Sequence, residues 1–380
     1  MRVLQVTPSY IPATRYGGPI YSVHGLAKAL VQAGHTVDVY TTSVDGPDDS
    51  DVPLGTRVDM DGVGVYYFAS KFLRRFYYSS AMSSFMSRSI GNYDICHTHS
   101  VYLWPTWKAS KLAHRAQVAR VVSPRGMLVP KLVAAKSKLA KQAWLRTIET
   151  RNFQRATGIH FTSELEAVAA QRYLPNSLRK QVVIPNGVEF SNEVKELTTF
   201  AQRDLILFLG RINWKKNLDT LISAIEPLQD AELVIAGPAE QDELHRLTHL
   251  VNDLGLSHRV RFYGPADSSQ KAKLFSQAKA LVLCSVNENF GNVVIEALAH
   301  GCPVVVNESV GAAVLVKKYD AGLVVDANNL ELTAAIARIQ SDESSWQRYQ
   351  INGLRLIQDK FLWKDIALQM SSFYRTLIDQ

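Results

Sequence analysis

Cysteine is scarce in this chain of 380 residues: Cys96, Cys284 and Cys302 are odd in number and far apart. They offer no disulfide framework and no metal-ligand spacing, and are expected to be reduced, buried thiols in a cytoplasmic protein. Long apolar runs are missing as well. None approaches the ~20 residues that span a bilayer, and the N-terminus Met1-Arg2-Val3-Leu4-Gln5-Val6 turns polar too early for a secretory leader. The fingerprint Gly-x-Gly-x-x-Gly is absent from the first strand–helix turn, which disfavours a nicotinamide dehydrogenase. No zinc finger, RNA-binding signature or helix-turn-helix pattern is found, so no nucleic acid partner is expected.

What is present has the balance of a globular protein, with 47% hydrophobic and 20% charged residues. The length suits two domains better than one core. Net charge is +7, and twelve Lys or Arg residues lie between Lys108 and Arg155 against one acid, Glu149. Within that stretch Lys131, Lys136, Lys138, Lys141 and Arg146 interleave with Leu132, Val133, Leu139, Trp144 and Leu145. Such a run reads either as a solvated basic face or as a patch for an anionic membrane surface or phosphate-bearing acceptor.

Short β-rich runs alternate with amphipathic segments. In the first half, Val3–Thr7, Val37–Thr42, Val63–Phe68, Ile95–Thr98, Arg120–Ser123, Gly158–Phe161 and Val182–Ile184 are strand candidates. Helix-length segments Ile20–Gln32, Tyr102–Arg115 and Lys138–Gln154 separate several of them. The pattern restarts with Leu205–Leu209, Glu232–Ala236, Val260–Tyr263, Ala280–Cys284, Val304–Val306 and Leu323–Val325. Strand, helix, strand repeated in this way predicts parallel sheets covered on both faces. The turn Asn186-Gly187 and the polar stretch after it place a boundary there. The expected division is 1–188, 189–362, and a C-terminal helix over 363–380 that packs back on the first domain.

Candidate site residues gather after strand ends, where open α/β sheets bind ligands. Gly17 and Gly18 lead into a helix with Pro19 at its start, a geometry that suits phosphate and equally a plain turn. Gly210-Arg211-Ile212-Asn213-Trp214-Lys215-Lys216-Asn217 puts two cations, Arg211 and Lys216, past a strand. Together they could neutralise a diphosphate, or be two surface charges near a turn. In Ser285–Ala299, Glu288 belongs to a loop and Glu296 to the following helix, two carboxylates suited to sugar diols flanking a helix start at Asn289, Phe290, Gly291, Asn292 and Val293. His97 and His99 alternate on one face of a strand end, with no third or fourth ligand nearby to make a zinc site. Arg125 follows the next strand, and Tyr16 precedes the Gly-Gly pair. Asp49-Ser50-Asp51 and Asp59-Met60-Asp61 match Asp-x-Asp, but in polar loops, so no metal site is expected.

In their order, the Gly-Gly loop, Gly-Arg-x4-Lys, and Glu-x-Phe-Gly-x4-Glu-Ala-x-Ala-x-Gly-x-Pro-Val-Val resemble glycosyltransferase family 4 over essentially the whole chain, with Ile184–Val188 and Val260–Gly264 joining the match. The resemblance implies the GT-B fold: α/β, two doubly wound parallel-sheet (Rossmann-like) domains facing across a cleft. It implies a retaining, metal-independent hexosyltransferase of polysaccharide biosynthesis, with a nucleotide diphosphate-sugar, UDP-sugar favoured, as donor and no other cofactor. The acceptor would be a saccharide or lipid-linked saccharide. By position, Arg211 and Lys216 would hold the diphosphate, Glu296 the ribose, and Glu288 the donor sugar, helped by backbone at Asn289, Phe290 and Gly291. Backbone at Gly264 would meet the base, and Gly17 and Gly18 would close over the phosphates. Among these, Glu288, His99, Arg211 and Lys216 would be catalytic, with His97, Arg125 and Tyr16 toward the acceptor. Asn217 departs from the family, which often has Gly there, and Asn289 fills a position that is often small. The protein would be cytoplasmic, peripheral at the inner membrane face. Two rivals remain, a nucleotide-sugar epimerase of the same fold and a non-enzymatic nucleotide-sugar binding protein.

Overall fold

A computed structural model describes residues 1–13, 17–128, 144–174, 180–190 and 198–379, with only the backbone at Arg146. Tyr16 and the lysines at 131, 136, 138 and 141 lie outside the described residues, as does the start of the helix expected over Lys138–Gln154. The chain divides into two compact units, Met1–Gly187 with Trp363–Gln380, and Val188–Leu362.

The first unit is built on strands β1 (Arg2–Val6), β2 (Thr36–Thr42), β5 (Arg57–Met60), β6 (Val63–Phe68), β7 (Ile95–His99), β8 (Ala119–Ser123), β9 (Gly158–Phe161) and β10 (Gln181–Val183), with a small hairpin β3–β4 (Val44–Asp45, Asp48–Asp49) beside them. Their order is β10-β9-β8-β7-β1-β2-β6-β5. All neighbours are parallel except β5, which runs antiparallel to β6. β5 and the hairpin carry no clear apolar run. An edge strand buries one face only, and Arg57–Met60 shows alternating exposed and half-buried residues, a signal too short to read. Helix α1 (Gly18–Gln32) turns Ile20, Val23, Leu26, Ala27 and Leu30 into the sheet at three- and four-residue spacing. The other helices are α2 (Ser80–Ser89), α3 (Trp104–Arg115), α4 (Thr150–Arg155) and α5 (Glu164–Ala170). α3 starts two residues later than its apolar pattern suggests. Tyr102 has φ 63°, a left-handed conformation that no helix accepts, and Pro105 then opens the first turn.

In the second unit β11 (Leu205–Leu209), β12 (Glu232–Ala236), β13 (Val260–Gly264), β14 (Ala278–Leu283), β15 (Val304–Val306) and β16 (Gly322–Val324) form an all-parallel sheet, ordered β13-β12-β11-β14-β15-β16. That is the doubly wound dinucleotide-fold order. Every residue of β11, Leu-Ile-Leu-Phe-Leu, is buried, as expected for a strand with helices on both faces. Those helices are α6 (Leu218–Ile225), α7 (Gln241–Asp253), α8 (Ser268–Gln277), α9 (Asn292–Ala299), α10 (Ala313–Lys318), α11 (Asn329–Ser341) and α12 (Glu343–Lys360).

The last helix, α13 (Trp363–Ile378), belongs to the first unit. Its Ile366, Met370, Phe373 and Leu377 join Val3, Leu26 and Leu30 in one core. Each such side chain withdrawn from water stabilises the fold by about 1.5–3 kcal/mol. Trp363 lies so close over Gly25 of α1 that any side chain there would overlap its ring. Among the described residues no helix is long and apolar enough to cross a membrane.

Candidate active site

Each sheet reverses its winding once, and ligands of such folds bind outside the strand C-termini at that point. In the second unit the reversal lies between β11 and β14, whose following loops carry Arg211, Lys216 and Glu288, with Glu296 on the helix that comes next. After β11 a short 3-10 turn, Trp214–Lys216, is capped by Asn213, whose Oδ1 accepts from the Lys215 amide at 3.1 Å. The turn ends at Asn217, with φ 55°. Asn is the side-chain-bearing residue that tolerates this left-handed conformation best. That explains why Asn217 stands where the resemblance expects Gly. Asn217→Gly is expected to keep stability within about 0.5 kcal/mol, whereas Asn217→Val is expected to lose about 1–2 kcal/mol in urea unfolding.

The loop after β14 is held from both sides. The Val286 amide donates to the Lys215 carbonyl (2.9 Å), Glu288 N–H to Ser309 O (2.9 Å), and Gly311 N–H back to Glu288 O (3.0 Å). This stitching brings the Lys216 ammonium onto the Glu288 carboxylate as an ion pair, both side chains mostly buried. Phe290 is buried, and Gly291 caps α9 at φ 90°, leaving Asn289, Asn292 and Val293 partly exposed around the helix start. Glu296, on the second turn of α9, meets Lys271 of α8 at 3.2 Å. Gly264 ends β13, two strands from β11, about 10 Å across the sheet at ~4.8 Å per strand. Cys284 donates to the Asn217 carbonyl at 3.5 Å, and burial pushes its thiol up to about 12, so it stays protonated.

In the first unit the reversal falls between β1 and β7. Gly17, φ 72°, caps α1 after β1, with Gly18 opening the helix. His99 is the last residue of β7. It belongs to a buried polar network whose protons are fixed by elimination. Burial lowers His97, His99 and His160 from the usual histidine range, His160 to about 3, so all three are neutral. His160 Nε2 faces the Ile184 carbonyl (2.7 Å) and must carry the proton. Its Nδ1 therefore accepts from Ser123 Oγ (2.7 Å), and Ser123 Oγ accepts from His97 Nε2 (2.6 Å). His97 Nδ1 is left to accept from Tyr374 Oη of α13 at 2.6 Å. His99 Nδ1 faces two donors of Arg125, Nε at 3.3 Å and an Nη at 3.0 Å. The His99 proton thus sits on Nε2, a buried N–H with no partner among the described residues. A buried donor left unmet is costly, and a ligand oxygen would satisfy it.

Arg125, at φ 54°, also donates to Asn186 Oδ1 at 2.8 Å, and burial lowers its guanidinium to about 10 despite nearby Glu166. Buried Glu166 in turn accepts from the Gly126 amide (2.5 Å), the Thr162 amide (2.8 Å) and Thr162 Oγ1 (3.0 Å).

The structure brings Lys216 to Glu288, and His97, His99 and Arg125 into one network. Gly17, Gly18 and these histidines belong to one unit, the acidic and cationic donor candidates to the other. Sequence reasoning missed Lys271, Ser123, His160, Glu166 and Tyr374. No local pattern in the sequence signals the network, because His160 of β9 is joined to His97 of β7 through Ser123 of the intervening β8. The Asp-x-Asp stretches are spent otherwise: Asp49 pairs with Arg74 at 2.9 Å, Asp59 with Arg57 at 3.3 Å, and Asp61 with His24 at 2.9 Å.

Two doubly wound domains with charged loops at a winding reversal define a GT-B glycosyltransferase. The description "Glycosyl transferase 4-like domain" matches residues 17–187, and "Glycosyl transferases group 1" matches residues 189–355. The chain belongs to this glycosyltransferase family of the group 1 and family 4 type. It is 26% identical to an uncharacterized glycosyltransferase of Methanocaldococcus jannaschii, over 100% of this chain and 99% of that one. Among solved structures, sucrose-phosphate synthase from Thermosynechococcus elongatus superposes with a TM-score of 0.79 at 23% identity, covering 100% of this chain and 99% of the other. HepE of Anabaena, in complex with UDP-glucose, gives 0.76 at 19%, covering 99% and 100%.

Proposed function

We propose that the protein transfers a hexose from a UDP-sugar to a saccharide or lipid-linked saccharide acceptor in polysaccharide biosynthesis, with retention at the anomeric carbon. The observation that carries the reading is the Lys216–Glu288 pair at the winding reversal of the second unit. A diphosphate exchanges with Glu288 for the Lys216 ammonium, freeing the carboxylate for sugar hydroxyls. Arg211 shares the diphosphate charge, and Glu296, steadied by Lys271, takes the ribose diol. The amides from Asn289 to Val293 lie at the start of α9, where anions are favoured, and backbone at Gly264 meets the base.

In the reaction, the bond from the anomeric carbon to the diphosphate oxygen breaks as an oxocarbenium-like centre forms. The acceptor oxygen bonds to the same face, and its proton leaves to the departing phosphate. Because Arg211 and Lys216 neutralise the leaving charge, activity is expected to survive chelation by EDTA. Gly17 and Gly18, at the start of α1, present backbone amides of the kind that favour phosphate. His99 serves as a hydrogen-bond donor to a sugar oxygen and not as a base, since its free nitrogen already bears the proton. Arg125 holds it in that state through its two donors to Nδ1, and the ring of His97 lies beside it. The UDP preference draws support from HepE, whose structure holds UDP-glucose. The protein works at the inner membrane face as a peripheral enzyme.

A thermal-shift screen against UDP-, GDP- and ADP-sugars tests the donor. At a hundredfold excess over Kd, UDP-glucose should add about 2.7 kcal/mol of stability. Equal response to all three, or none, removes the uridine assignment. Product NMR with an accepted saccharide then reads the anomeric configuration, and an inverted product removes retention.

A further inference from the structure

We propose that residues 71–78 form a membrane-docking loop that inserts apolar side chains into the interface of an anionic bilayer. The loop, Lys71-Phe72-Leu73-Arg74-Arg75-Phe76-Tyr77-Tyr78, leaves β6 at the C-terminal end of the first sheet, the same end at which His99 and Arg125 lie. Phe72 is 68% exposed, Leu73 51% and Phe76 44%. Three large apolar side chains within five residues are an unusual concentration for a water-facing loop.

The exposure is built into the backbone. Leu73 and Tyr77 both adopt left-handed conformations, φ 49° and 57°, on either side of a 3-10 turn over Arg74–Phe76. Bulky side chains rarely accept that region, and such strain persists only where the surroundings impose it. Arg74 imposes it: its Nε donates to the Gly46 carbonyl at 3.1 Å, and its Nη atoms reach Asp49 (2.9 Å) and the Asp48 carbonyl. Arg74 thereby fastens the loop to the β3–β4 hairpin and neutralises Asp49, while Lys71 and Arg75 stay exposed.

Around the apolar tip lies an aromatic set with polar handles. Tyr78 packs edge-on against Trp104 (4.9 Å) and Phe72 (6.3 Å), and Phe76 stacks on Trp144 (6.0 Å). Tyr and Trp favour the headgroup level of a bilayer, where one end is apolar and the other wet. Apolar side chains beside Lys71 and Arg75, on a chain of net charge +7, match the double requirement of an interfacial anchor, burial plus attraction to anionic lipid. The same set reaches the sugar site's strand: Trp144 Nε1 donates to Glu149 (3.0 Å), which also accepts from the Tyr102 amide (2.9 Å), three residues beyond His99. A docked loop thus holds the first unit's ligand end near the headgroups, where a lipid-linked acceptor presents its sugar.

This proposal rests on the peripheral-membrane placement proposed above. Vesicle binding is measured without substrates, so its failure leaves the sugar-transfer reading standing. The full chain is floated with vesicles of phosphatidylcholine alone and of phosphatidylcholine mixed with phosphatidylglycerol. Binding is expected to be stronger on the anionic vesicles and weaker in high salt. The double variant Phe72→Ser, Leu73→Asn should lose at least about tenfold of the vesicle affinity, and Lys71→Gln, Arg75→Gln should lose the preference for anionic lipid. Asn tolerates the left-handed backbone at 73, and unchanged circular dichroism and melting show that the variants fold. No vesicle binding by the native chain overturns the proposal. So does binding that Phe72→Ser, Leu73→Asn leaves intact, or light scattering that shows the apolar pair holding two copies of the chain together.

Discussion

Lys216→Ala is expected to lower kcat/KM by about 10²–10³-fold while changing folding stability by no more than about 1 kcal/mol. The asymmetry follows from where the charge is used. Among the described residues the ammonium pairs with Glu288, with side-chain exposures of 17% and 24%, and at that partial exposure water can solvate the carboxylate left behind, so the pair contributes little to stability. On the proposed donor reading the same ammonium meets charge that grows as the diphosphate departs. Removing one prepositioned group of that kind costs about 2.7–4 kcal/mol in the transition state. Lys216→Arg should recover part of the loss, since it restores the charge but replaces a compact point charge with a planar fork. Glu288→Gln separates the two halves of the pair. It should weaken sugar selectivity and turnover while leaving nucleotide binding, read by UDP titration, nearly intact. Steady-state kinetics beside urea unfolding decide the matter. Native kcat/KM in Lys216→Ala, with the fold intact, removes Lys216 from the diphosphate site.

The parts of this fold and site that the sequence revealed are those where local pattern and function coincide. β11 reads as a strand because all five of its residues are apolar and buried. Arg211 and Lys216 stand out because charge follows that run abruptly, and Glu288 and Glu296 because they flank the glycine-capped start of a helix. What stayed hidden depends on which distant segments meet. Lys271 reaches Glu296 across 25 positions, and Tyr374 reaches His97 across 277. The amphipathic period of α13 showed that the helix needed cover, but a buried Tyr looks the same in sequence whether its hydroxyl is spent or idle. His160 gave no sign of being the residue whose carbonyl contact fixes every other proton in the network. Phe72, Leu73 and Phe76 would pass in sequence for core residues. Their exposure follows from the grip of Arg74 on a hairpin that is itself too short and polar to anticipate.

Acidification from pH 7 to pH 5 is expected to destabilise the first unit strongly, through its histidines. A histidine whose folded pKa is depressed gives its full stabilising contribution above the unfolded value, about 6.5, and loses it progressively as pH falls below that. In this window the unfolded chain binds more protons than the folded one, so stability rises with pH. For His160, held neutral by burial down to about 3, the linkage relation gives a loss of about 2 kcal/mol between pH 7 and pH 5. His97 and His99 shift in the same direction for the same reason, with neighbouring His160 and Arg125 adding to burial. The carboxylates do not confuse the window. Asp61 and Asp342, lowered chiefly by hydrogen bonds from His24 and Ser345, lose their contribution only as pH falls below the ordinary carboxylate range. Urea unfolding at pH 7, 6 and 5, followed by a probe in the first unit, should therefore show a midpoint that falls at each step. His160→Gln should flatten the slope by about one proton, because Gln can still donate to the Ile184 carbonyl but cannot titrate. Over the same window kcat/KM should show no histidine inflection while the fold persists, since His99 is already neutral with its proton on Nε2. A midpoint independent of pH between 7 and 5 would mean that these rings are open to water, and the fixed chain of protons from Ile184 to Tyr374 would fall with it.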